Sequence, residues 1–189
     1  MQPAEYNLIF LETCLEEMET YLLQAELFWP VTTPAGVHPP FQRMTIANIL
    51  LAFNELEAQG DELEPVGHSR SAKVSARWEA LEVKWQVAIE NKAIAEMGAR
   101  LNLWSAFALD LEESRGSGTN YAQEVRQRVR IELLRTLLHT TGLPEGLLAR
   151  LETVDGRIQA LTVPAEFVWD PALEPIYPPD RHPFLYRAH

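Results

Sequence analysis

The chain has 189 residues, 47% of them hydrophobic and 23% charged, with 27 acidic against 16 basic side chains and a net charge of −11. This composition suits one folded domain, or one domain with an appendage, and a compact chain of this size buries roughly 70% of its unfolded surface without disulfides or metals. It excludes wholesale disorder, holds no apolar run near the ~18 residues of a membrane span, and disfavours a general nucleic-acid binder, which needs basic density to release counterions.

Residues 4–28 predict an amphipathic helix: Phe10, Leu11, Cys14, Leu15, Met18, Tyr21, Leu22, Ala25 and Phe28 share one arc at helical spacing. On the opposite side Glu5, Glu12, Glu16, Glu19 and Glu26 form an acidic stripe. Like charges three and four apart repel, so such a stripe is either a well-solvated face or one that meets cations. Cys14 is the single cysteine, which rules out an intrachain disulfide or a cysteine zinc set, and on the apolar side it reads as a small core hydrophobe. The acidic start lacks the basic region of a secretory signal and neither end resembles a lipidation motif, so a cytoplasmic protein is the expectation.

Four prolines in 29–42 predict a loop closed off from the first helix by Pro30. A second helix over 44–59 follows, with Thr45 near its start, Ile46, Ile49, Leu50, Phe53 and Leu56 on its apolar side, and Gly60 as its stop. Residues 60–71 read as another loop. From Ser71 to about Ser114 the chain has no proline, and the pattern favours one long helix, kinked if anywhere at Gly98. Trp78 and Trp85, with Leu81, Ala88 and Ile89, make an aromatic seam that either fills a core or meets an oligomer partner. Lys92, Glu96 and Arg100 form an i,i+4 ladder of the kind that suits an exposed face.

Gly116-Ser-Gly118 is a turn before a helix over about 120–141, capped by Thr119 or Asn120, and Pro144 opens a fifth helix to about 160. From Pro164 the tail carries six prolines in 26 residues, interleaved with Phe167, Trp169, Tyr177, Phe184 and Tyr186, and predicts an extended strap anchored by those aromatics on the helical body or on a partner. The expected fold is all-α: a bundle of four to five helices over 1–163, one of them about 40 residues long, and an extended tail over 164–189.

The excess charge is localised. Residues 1–66 are net −10, 67–163 net +1 and 164–189 net −2. Catalytic signatures are missing from the sequence: there is no Glu-x-x-His pair, no His-Glu-x-x-His, no Gly-x-Ser-x-Gly elbow, and no lysine or third glycine beside Gly116-Ser-Gly118. No cofactor or metal is expected. Arg126 and Arg130 stand on an otherwise apolar side of their helix, where they would pair with carboxylates of the first helix or bind an anion.

These features point first to a non-catalytic interaction or adaptor subunit, acting on another protein or on a second copy, with no direct nucleic acid and no membrane. One alternative is a small anionic-ligand binder or enzyme with an inter-helix pocket near Trp78, Trp85 and Arg126. The other is an acidic first third that binds a basic, nucleic-acid-binding partner.

Overall fold

The computed structural model describes residues 1–114, 120–138 and 142–189, so the Gly116-Ser-Gly118 turn, Thr119 and His139 lie outside the described residues. Five α-helices make up most of it: α1 Pro3–Leu23, α2 Ile46–Ala58, α3 Pro65–Ser114, α4 Tyr121–Leu137 and α5 Glu145–Leu161. A two-residue strand β1, Val163–Pro164, pairs antiparallel with β2, Arg187–Ala188. The fold is an all-α bundle with one long helix and a C-terminal strap. It divides into two compact units, Met1–Glu96 and Met97–His189, and α3 contributes to both.

In the first unit α1 and α2 form an antiparallel pair. Asn7 near the start of α1 donates to Glu55 near the end of α2 at 3.2 Å. The connecting loop is closed by two backbone hydrogen bonds between Trp29 and Met44, at 3.0 and 2.8 Å. Leu8, Phe10, Leu11, Cys14, Met18 and Ile49 are wholly buried. α1 stops at Leu23, five residues short of the end its periodicity predicts. The acidic stripe is correspondingly shorter: Glu26 lies in the turn beyond the helix, and Ala25 and Phe28 are exposed rather than part of the apolar arc.

Just past this stop the chain is held by Lys92, whose ammonium donates to the Gln24 carbonyl at 2.9 Å and the Glu26 carbonyl at 2.6 Å. It also sits 4.3 Å from the centre of the Tyr21 ring. The last turn of α1 has no basic residue of its own, so Lys92 supplies the cation that helix carbonyls favour. One turn further along α3, Glu96 accepts from the Ala47 amide at 3.0 Å, in the first turn of α2, which holds no acidic residue. Thr45 caps the next amide, Asn48, at 3.1 Å. The Lys92–Glu96–Arg100 ladder is therefore not an exposed face. The three residues are 8%, 0% and 3% exposed, because their charges go to helix ends and to a neighbouring helix rather than to water. Arg100, in the second unit, donates to Gln127 of α4 at 2.8 Å.

α3 begins at Pro65, not Ser71: proline fits a helix's first turn, and Gly60–Glu62 forms a short 3-10 turn ahead of it. The helix runs through Gly98 undisturbed. Its backbone departs from helical geometry at Trp85 instead, with φ −120° and ψ 22°. Leu81, Ile89, Ala93, Met97 and Leu101 are buried there, and Trp85, at the break, is the half-buried member of that spacing.

In the second unit Leu101, Trp104, Val125, Val129, Leu134 and Ile158 are at most 2% exposed. The strap does not run as polyproline chain; it makes 3-10 turns over Pro171–Ile176 and Pro183–Tyr186, and Asp170 caps the first of them through the Ala172 amide at 2.9 Å. Prolines at the opening position of each turn fix φ without losing a needed N–H.

Replacing Lys92 by Met keeps the apolar stem and removes the ammonium, leaving two carbonyls without their donor. The variant should lose about 2 kcal/mol in unfolding free energy, read from the urea midpoint at constant slope. A midpoint unchanged or raised would show that desolvation of the ammonium cancels its bonds.

Candidate functional site

The acidic stripe on α1 meets cations of α3 inside the first unit. Arg70 reaches two of its glutamates, Glu5 at 2.7 Å and Glu12 at 2.6 Å, with a second bond from Nε to Glu12 at 2.8 Å. Lys84 pairs with Glu19 at 2.8 Å, and its ammonium holds that carboxyl below the ordinary carboxylate range. Glu16 is exposed in a groove it shares with Arg70, Lys73 and Arg77. Burial pushes the Cys14 thiol well above its ordinary value, so the thiolate needed for nucleophilic chemistry is suppressed.

Of the tryptophan seam, Trp78 is buried against Phe53 of α2, ring centroids 5.9 Å apart. Trp85 is half-buried, with the Lys84 ammonium 5.4 Å from its ring, and its indole Nε1 lies within electrostatic reach of Glu19 without a formed hydrogen bond. Beyond it, a row of small apolar residues stands exposed on α3, bordered by Lys73, Glu79, Lys84 and Gln86. Ala72, Ala76, Ala80, Val83, Val87 and Ala95 are all exposed, and Val83 and Val87 are 84% and 71% exposed. A row spaced four, three and four from Ala76 to Val87 is the spacing of a helix-pairing face.

The second unit is organised around Arg128. Its Nε donates to both oxygens of Asp155 on α5, at 3.1 and 2.8 Å, and its Nη1 donates to Glu132 at 3.0 Å. The Trp104 indole donates to the same Asp155 oxygen at 2.8 Å. The guanidinium lies 4.4 Å from the centre of the Phe184 ring, which brings the strap onto this node. Tyr121 donates to the Phe184 carbonyl at 2.8 Å, and its burial raises the hydroxyl's pKa, keeping it a donor. Burial works to raise Glu132, but Arg135 at 2.6 Å and Arg128 outweigh it and hold the carboxyl low. Around Trp104, Tyr121, Arg128 and Asp155 lies a cavity of about 140 Å³, bounded by Ile158, Phe184 and Arg187.

Arg126 and Arg130, the arginines that stand out by their spacing, are not the centre of this node. Arg128 is 7% exposed, whereas Arg126 is half-buried over the Trp169 ring at 5.0 Å. Arg130 is 9% exposed. Trp78 and Trp85 belong to the first unit and Arg126 to the second. Asp155, Trp104, Tyr121 and Arg187 were not foreseen as a cluster. The signal that could have found them is the lone carboxylate Asp155 on the same side of α5 as Leu151 and Ile158.

The strap aromatics pack within the second unit. Trp169 donates to the Ala122 carbonyl at 2.8 Å and meets Tyr177 edge-on at 5.5 Å. Phe167 packs on Tyr186 at 5.4 Å, and the Tyr186 hydroxyl donates to the Tyr177 carbonyl at 3.0 Å. His182 stands edge-on between Tyr177 and Phe184, at 5.1 and 5.8 Å, and is 8% exposed.

Compared with known proteins, the chain matches no family model, no curated protein and no solved structure. The class defined by its own coordinates is an all-α protein with no helix among the described residues long and apolar enough to cross a membrane.

Burial depresses the His182 pKa, opposed by Glu132 and reinforced by Arg181 and Arg128. The unfolded chain therefore takes up this proton first as pH falls. Stability is retained above about 6.5, the unfolded value, and lost progressively below it until the folded pKa is passed. Urea midpoints at pH 7.5 and 5.5 (roughly one unit either side of that value) should fall in the wild type and fall less in His182→Phe. Equal falls in both proteins contradict this assignment.

Proposed function

We propose that the protein is a non-catalytic structural subunit that assembles with a second copy of itself through the outward face of α3. The observation that carries this reading is the exposed row Ala72, Ala76, Ala80, Val83 and Val87. Small side chains on one face let a second helix approach closely, and two exposed valines one turn apart gain by burial.

Charge at the edges of the row favours a parallel arrangement of two copies. Glu79 borders one side and Lys84 the other, five residues later, which are the positions that face each other across a parallel helix pair. Lys84 already bonds Glu19, and an ammonium has two further protons to offer a partner. A face of alanine and valine over about four turns lies at the small end of stable interfaces, so the association is expected to be concentration-dependent.

Sedimentation equilibrium across a wide concentration series tests this. The wild-type mass should rise toward that of two chains, while the Val83→Glu, Val87→Glu double variant stays at one chain with an unchanged helical spectrum. Both positions are exposed, so the substitutions leave the fold intact. A wild type that stays at one chain at every concentration overturns the reading.

A further inference from the structure

The cavity beside Arg128 has walls and donors suited to a particular ligand class. Its floor is apolar: Trp104, Tyr121, Ile158 and Phe184 are each at most 9% exposed and all line it. Gln159 and Pro183, both exposed, mark its mouth. Its volume of about 140 Å³ is close to the roughly 150 Å³ that suffices for a benzene-sized body.

The polar side is richer in donors than in acceptors. Two guanidiniums, Arg128 and Arg187, face one carboxylate, Asp155. Asp155 is already occupied: one oxygen accepts from Trp104 and Arg128, the other from Arg128. Arg187 is held by Nε to the Thr162 hydroxyl at 2.7 Å and by Nη2 to the Thr162 and Gln159 carbonyls at 2.6 and 2.8 Å. Its Nη1, like Nη2 of Arg128, has no hydrogen-bond partner among the described residues. Both arginines are thus fixed in place by other bonds and keep a donor nitrogen for a further anion.

From this geometry we infer that the cavity is a binding site for a small planar monocarboxylate, its ring among Trp104, Tyr121 and Phe184 and its carboxylate on Arg187. The single negative charge answers the one guanidinium not balanced by Asp155. The carboxylate sits on the Arg187 side because Asp155 repels it from the other. Arg187 is the stronger of the two donors for this purpose, since Arg128 already shares its charge with Asp155 and Glu132. The site lies wholly within the second unit and is independent of the α3 pairing face.

Benzoate is the probe, with benzamide as its neutral match and acetate as the carboxylate without a ring. Titration is followed by the Trp104 indole N–H resonance of nitrogen-15-labelled protein, assigned by its loss in Trp104→Phe. Benzoate should shift that resonance saturably, and benzamide and acetate should each bind about tenfold more weakly or less, about 1.4 kcal/mol. Ile158→Trp, which fills the cavity, should abolish the shift while the rest of the spectrum reports an intact fold. Arg187→Gln should weaken benzoate toward the level of benzamide. The inference is overturned if benzoate leaves the Trp104 resonance unmoved, if benzamide binds as tightly as benzoate, or if a folded Ile158→Trp protein still binds. The benzoate–benzamide comparison uses the unaltered protein, so it holds even if Arg187→Gln loosens the chain end.

Discussion

Three helix ends in this protein lack the charged residue that their dipoles favour and receive a charged group from a distant segment. α1 has no base in its last turn and receives the Lys92 ammonium at the carbonyls of Gln24 and Glu26. α2 has no acid in its first turn and receives the Glu96 carboxylate at the Ala47 amide. α5 has no base in its last turn and receives Arg187, from the far end of the strap, at the carbonyls of Gln159 and Thr162. Free carbonyls and amides at a helix end cost free energy when buried, so these ties fix what lies beside each helix end.

The first unit follows from the Lys92 and Glu96 ties. They stand one turn apart on α3, so the end of α1 and the start of α2 must meet at that height, and the loop between them closes through Trp29 and Met44. With α1 anchored there, its outer glutamates fall against Arg70 and Lys84 of the same helix. The net −10 of the first third is thus partly answered from within: Glu5, Glu12 and Glu19 are paired, while Glu16 and Glu26 remain exposed. In the second unit Arg128 plays the corresponding part. It joins α4 to α5 through Asp155 and to the strap through Phe184, and the cavity is the space left between that node and the Arg187 tie.

Much of this was legible from periodicity. The five helices, the Thr45 and Asn120 caps and the all-α class follow from spacing and end signals that act within a few residues. What failed were the features that depend on a remote partner. Lys92, Glu96 and Arg100 look like a solvent-facing ladder because opposite charges at i,i+4 are common on surfaces; their burial becomes intelligible only once the carbonyls and the amide that they serve are in place. α1 reads as longer than it is because apolar spacing continues to Phe28, while the carbonyls just past its end bond a lysine 66 and 68 residues away. Arg128 does not stand out in the sequence for the same reason: its partner Asp155 is 27 residues distant, and a sequence window shows its neighbours on α4 but not the helix across from it.

The Ala47 amide tests the account most directly. It belongs to the first turn of α2, where amides lack an intrahelical acceptor and ordinarily exchange quickly with solvent. Hydrogen exchange measured residue by residue should find Ala47 as protected as the middle of α2 in the wild type, and at least about tenfold less protected in Glu96→Ala relative to amides at the helix centre, a local change of about 1.4 kcal/mol. Rapid exchange at Ala47 in the wild type, or protection that survives the loss of Glu96, would contradict the claim that α3 supplies the missing charge at this helix end.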